Sequence, residues 1–172
     1  LPAFFGLQNT HASGSTFPTT FAINIGGSND LLGVLKSFKS IFANLMNFTC
    51  AATKAVDAIP NISCGAVCIF FGFLYLTSKK IKLREKIVSC SLLLFMMLSC
   101  IIRQLDYIWH GFHFTNMIPY RFSYLISFVL IVMAFKAFTT VDFASALNVI
   151  IASICSLAVL ALAINDEGIA KH

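Results

Sequence analysis

The chain has 172 residues, of which 58% are hydrophobic and 11% charged, with a mean hydropathy of +0.86 and a formal net charge of +5. Soluble domains run to about half apolar and a quarter charged residues, so this balance excludes an ordinary soluble protein and points to an all-α integral membrane bundle. The positive charge does not call for nucleic acid, since five of the twelve Lys and Arg sit between Lys79 and Lys86.

The chain starts at Leu1 without a basic segment, apolar core and small-residue cleavage site, and is expected to be a piece of a longer protein. Leu1–Leu7 reads as the end of a helix. Gln8–Asp30 is rich in Ser, Thr, Asn and Gly and reads as a long loop. Apolar residues at 31, 34, 35, 38, 41, 42, 45 and 46 predict an amphipathic helix over Leu31–Phe48, capped by Asn29 or Asp30. Lys36, Ser37, Lys39, Ser40, Asn44 and Asn47 form its polar face, so it is placed flat in the membrane interface.

After a polar link to Pro60, four apolar runs follow, at about 62–78, 87–102, 122–138 and 143–164. Gly65 and Gly72 suggest close packing of the first run. Asn148 in the last suggests an interhelical hydrogen bond. The expected organisation is an external region 1–60, a four-helix transmembrane region 61–164 and an external tail 165–172. By the positive-inside rule the loop 79–86 is cytoplasmic, and alternation then places 103–121 outside. Cys68, Cys90, Cys100 and Cys155 lie within apolar runs and read as small hydrophobes.

The stretch Trp109–Arg121, WHGFHFTNMIPYR, carries more chemistry than a link between two helices requires. Arg121 stands at a helix mouth, where a guanidinium can fork onto phosphate oxygens at headgroup depth. His110, His113 and Asn116 supply hydrogen bonds, with Trp109 against a sugar ring. His110 and His113, three apart, would share a helical face and offer half of a metal site, but no third ligand is evident and no cofactor is expected. Arg103 and Asp106 have the spacing of a helical ion pair. The alternative is structural: Tyr107, Trp109 and Tyr120 as an aromatic belt with Arg121 snorkelling.

Trp109-His110-Gly111-Phe112-His113-Phe114, Asn116 and Pro119-Tyr120-Arg121, together with Ile59-Pro60-Asn61-Ile62, Gly65 and the basic loop, resemble the YfhO family of bacterial multi-pass membrane proteins. The resemblance covers about Pro60 to Ala137 well and the two ends weakly. It implies a GT-C-type glycosyltransferase that uses a polyprenyl-phosphate-linked sugar to modify cell-envelope polymers such as lipoteichoic acid. It places the acidic catalytic residue in a first external loop upstream, so no residue here is assigned that role. The implied partners are membrane lipids, the lipid-linked sugar and the remainder of the chain, with substrate-binding residues Arg121, His110, His113, Asn116, Trp109 and Tyr120. The alternative function is a transporter or flippase segment for a lipid-linked or anionic solute, which would place ionisable groups or broken helices in mid-membrane.

Overall fold

A computed structural model of the chain describes residues 17–23, 29–45, 60, 62–112, 120–141 and 145–164. Six α-helices are present among them: α1 Leu31–Asn44, α2 Ala66–Thr77, α3 Leu83–Ile101, α4 Arg103–Trp109, α5 Tyr124–Phe138 and α6 Ala146–Ile164. A 3-10 turn, Arg121–Ser123, leads into α5. The fold is all-helical among the described residues, and its one sheet-like contact is an isolated antiparallel bridge between Ile23 and Ile102.

The helices pair as a ring, with α1 against α6, α6 against α2, α2 against α5, α5 against α3 and α3 back against α1. Two apolar cores fill it. One joins Ile41 of α1 and Leu45 just after it to Ile62, Met96, Cys100, Ile101, Tyr120, Phe122 and Ile126. The other joins Leu74, Tyr75 and Ile81 to Met133, Ala137 and Ala152. The first core therefore lies where α3 ends and α5 begins, and the second lies beside the basic loop. Lys136 of α5 and Glu85 of α3 form an ion pair at this second end, which joins the end of α5 to the basic segment.

The outer faces are apolar. Ile87, Val88, Leu94 and Phe95 of α3, Phe128, Ile131 and Phe135 of α5, and Leu147, Ile150, Ile154 and Leu157 of α6 are all exposed. Surface of this extent would aggregate in water and is ordinary against lipid tails. Serines inside these helices return their hydroxyls to the preceding turn, as Ser99 does to the Phe95 carbonyl at 2.8 Å and Ser156 to the Ala152 carbonyl at 2.7 Å. Such bonds satisfy the hydroxyl without a partner from outside the helix.

The helix boundaries depart from the apolar runs. Among the described residues, only Arg121–Phe138, with 18 residues and a mean hydropathy of 1.7, is long and apolar enough to cross a membrane. The run 62–78 is helical only from Ala66, because Gly65 adopts φ 82° and ψ 151°, a conformation that is essentially reserved for glycine. Its 12 helical residues span only about 18 Å at 1.5 Å per residue. Gly72 is not what sets its packing, since a Cβ there meets nothing within 4 Å. The basic segment is not all loop: α3 begins at Leu83, and the Lys82 carbonyl accepts the N–H groups of Glu85 and Lys86 at 3.0 and 3.2 Å. Glu85 in that first turn complements the helix dipole. The last run is helical from Ala146, and its Asn148 is half-buried with no hydrogen bond among the described residues.

Helix α1 forms as expected up to Asn44, while 46–48 lie outside the described residues. Its buried face differs from the expected one. Gly33, Ser37, Ile41, Asn44 and Leu45 are buried, whereas Leu31, Leu32, Leu35 and Phe42 are exposed with Lys36 and Lys39. Two residues assigned to the polar face thus point into the protein. Ser37 Oγ donates to the Gly33 carbonyl at 2.7 Å, and Asn44 Nδ2 donates to the Pro60 carbonyl at 2.8 Å. These bonds let polar side chains sit inside, and they free the leucines for lipid.

Candidate functional site

The site is organised by a break between α3 and α4. Ile102 leaves helical geometry at φ −88° and ψ 119°, extended enough to bridge Ile23. The Arg103 N–H donates to the Ala22 carbonyl at 3.1 Å, and Gln104 Nε2 donates to the Thr20 carbonyl at 2.8 Å. Asn29 Oδ1 accepts the Ile23 N–H at 3.0 Å, and the rings of Phe17 and Tyr107 meet edge to face at 5.6 Å. Part of the long polar segment before α1 is therefore a strap across the break. Nothing local in the sequence marks this, since its partners lie roughly eighty residues away; the amide side chain of Gln104 is the nearest thing to a signal.

Helix α4 carries Asp106 and is capped at its C-terminal end by His110, four residues on, and both side chains are largely buried. His110 Nδ1 lies 2.9 Å from the Asp106 carbonyl and 3.2 Å from Asp106 Oδ1. The Asp106 side chain raises the imidazole pKa above the usual histidine range, against burial and the nearby Arg121 charge, which lower it. The carboxylate thus holds His110 toward its charged form. Phe122 completes this corner: it stacks on Trp109 with centroids 5.1 Å apart and planes 18° apart, and meets the His110 ring edge on at 6.1 Å.

Helix α4 ends at Trp109, and both Gly111 and Phe112 have positive φ, 71° and 65°. The helix therefore does not continue past His110, its C-cap. His113 and Asn116 themselves lie outside the described residues. Among the described residues no group of three or more His, Cys, Asp or Glu is placed to hold a metal ion.

Tyr120 precedes the 3-10 turn. It is buried at 5% exposure in the first core, with a left-handed backbone at φ 59°. A non-glycine residue in that region is uncommon and is kept there by its surroundings. Here the buried ring anchors the turn, and the turn presents exposed Arg121 at the start of the long apolar helix segment. Arg121 makes no ion pair among the described residues, yet its charge is felt at His110. The structure therefore brings Trp109, His110 and Arg121 to one corner around Phe122 and puts Tyr120 beneath them. Sequence reasoning set Asp106 beside Arg103 and did not place it with His110, whose spacing of four was a usable signal.

The family profile described as bacterial membrane protein YfhO matches residues 1–169. The chain belongs to the YfhO family. It is thus a bacterial membrane protein, as the Trp-His-Gly-Phe and Pro-Tyr-Arg residues suggested, and the YfhO match extends over both ends that resembled the family weakly. No curated protein and no solved structure matches the YfhO-family chain.

Proposed function

We propose that this chain belongs to a glycosyltransferase of the multi-pass GT-C type, and that this portion holds the phosphate of a polyprenyl-linked sugar destined for a cell-envelope polymer such as lipoteichoic acid. The observation that carries the reading is Arg121, an exposed guanidinium at the mouth of the one described helix segment long and apolar enough to cross a membrane, with His110 held toward its cationic form nearby. A charged head at that depth with an apolar surface directly below suits a ligand with an anionic head and a lipid tail. Trp109, with one face covered by Phe122 and 38% of its surface exposed, borders the sugar in this reading. His113 and Asn116 complete the headgroup contacts, and Tyr120 acts by holding the turn.

The test is donor binding and sugar transfer by the full-length protein. Arg121→Ala should weaken donor binding by roughly 10- to 150-fold, the equivalent of a charge-assisted hydrogen bond of about 1.5 to 3 kcal/mol. Arg121→Lys should lose less, since charge remains and only the planar fork is gone. An Arg121→Ala protein that inserts normally and transfers sugar at wild-type donor concentrations would reduce Arg121 to an interfacial anchor.

A further inference from the structure

At the other end of the bundle, about fifteen residues along from Arg121 at Lys136 of α5 and so roughly 22 Å away at 1.5 Å per residue, α2, α3 and α5 line a cleft. Its volume is about 290 Å³, space for roughly ten waters at ~30 Å³ each, which is far more than a single bound ion needs. Arg84 and Lys136 stand at its rim with Glu85, which pairs with Lys136. On its floor the Tyr75 hydroxyl, on a residue with 1% exposure, lies 3.1 Å from Ser89 Oγ. Exposed Val88 and Val132 continue the wall onto the apolar outer surface.

We infer that this cleft is a binding site for the headgroup of an anionic phospholipid from the leaflet bordering the basic loop. The charges facing it are Arg84, Lys136 and Glu85, a net of one positive charge, with Lys79, Lys80 and Lys82 in the adjacent loop. Lys86 is engaged elsewhere, donating to the Leu76 and Ser78 carbonyls at 2.7 and 2.6 Å, where it closes the end of α2. Glu85 orients Lys136 at the rim while leaving its remaining N–H groups for phosphate oxygens. The hydroxyl pair on the floor suits a glycerol or phosphate oxygen. The walls that continue as Val88 and Val132 suit the acyl chains of a lipid, which a soluble anion would leave unused. Basic clefts between membrane helices on the face rich in Lys and Arg are the usual seat of such headgroups.

The experiment uses the full-length protein in nanodiscs of phosphatidylcholine containing a minority of phosphatidylglycerol, with the lipid retained by the protein read by native mass spectrometry. The wild type should keep phosphatidylglycerol in preference to phosphatidylcholine. Arg84→Ala and Lys136→Ala should each lower that retention about fivefold, equivalent to ~1 kcal/mol per cation. Val132→Trp, which fills the cleft without changing charge, should lower it too. Lys79→Ala with Lys80→Ala, which removes two positive charges outside the cleft, should leave it unchanged. Equal losses from both pairs would overturn the site in favour of diffuse surface attraction. Unchanged retention in the Arg84 and Lys136 variants would also overturn it, and displacement of the lipid by millimolar inorganic phosphate would identify a free-anion site instead. Because donor binding at the Arg121 end is expected to survive these substitutions, failure here is distinguishable from failure there.

Discussion

Asp106 and His110 show how one side chain sets the state of another. The raised pKa of His110 arises first from its hydrogen bond to the Asp106 side chain, with burial and Arg121 opposing. A group whose pKa is raised on folding contributes stability that is fully present below its unfolded value, near 6.5, and is lost as pH rises through the folded value. The pair should therefore stabilise the protein most in mild acid, and the benefit should fade above about pH 6.5 as the imidazole deprotonates. Asp106→Asn should remove the cause and lower the His110 pKa. Titration of the His110 ring resonances by NMR in detergent micelles would show this, and an unchanged midpoint would mean that Asp106 does not control the charge. If His110 contributes to phosphate binding in its cationic form, the same substitution should weaken donor binding more at neutral pH than in acid.

Helix α1 is the element whose role changes most between pattern and fold. Its apolar period was legible, because leucines and phenylalanines recur at helical spacing. Which stripe faces the protein was not. Apolar residues satisfy both lipid and protein interior, so in a membrane protein hydrophobicity no longer marks the inside. The polar residues decide it instead, through the hydrogen bonds they find, and Asn44 finds the Pro60 carbonyl. Asn44→Leu should leave that buried carbonyl without this donor and destabilise the fold by about 1 to 3 kcal/mol. Lys36→Gln on the exposed face should change stability by no more than about 0.5 kcal/mol. Thermal unfolding of both variants in the same detergent would compare them, and equal midpoints would remove Asn44 as the tie between α1 and Pro60.

At the scale of the molecule, the helices alternate between a signature end, holding His110 and Arg121, and a basic end, holding Arg84 and Lys136. With the basic end cytoplasmic, an impermeant thiol reagent applied to intact cells should label Ile108→Cys and spare Leu83→Cys, in a background without other cysteines. Both positions are exposed, at 47% and 71%, so the contrast reads sidedness rather than access within the fold. The reverse pattern would invert the topology and move the proposed donor site to the cytoplasmic face.

The all-helical class, the membrane setting, the family and the position of Arg121 at a helix mouth were determined by the sequence alone, because each rests on composition or on residues close together in the chain. The strap 17–23 on α4, the burial of Tyr120, the inward turn of Ser37 and Asn44, and the cleft between α3 and α5 were decided only by the tertiary structure. Each of these depends on partners distant in sequence. Helix lengths belong to the same group: hydropathy counts apolar residues, whereas Gly65 and Ile102 end or begin helices through backbone geometry that hydropathy does not register. A bilayer supplies the remaining reason, since surroundings as apolar as the protein core erase the contrast from which inside and outside are usually read.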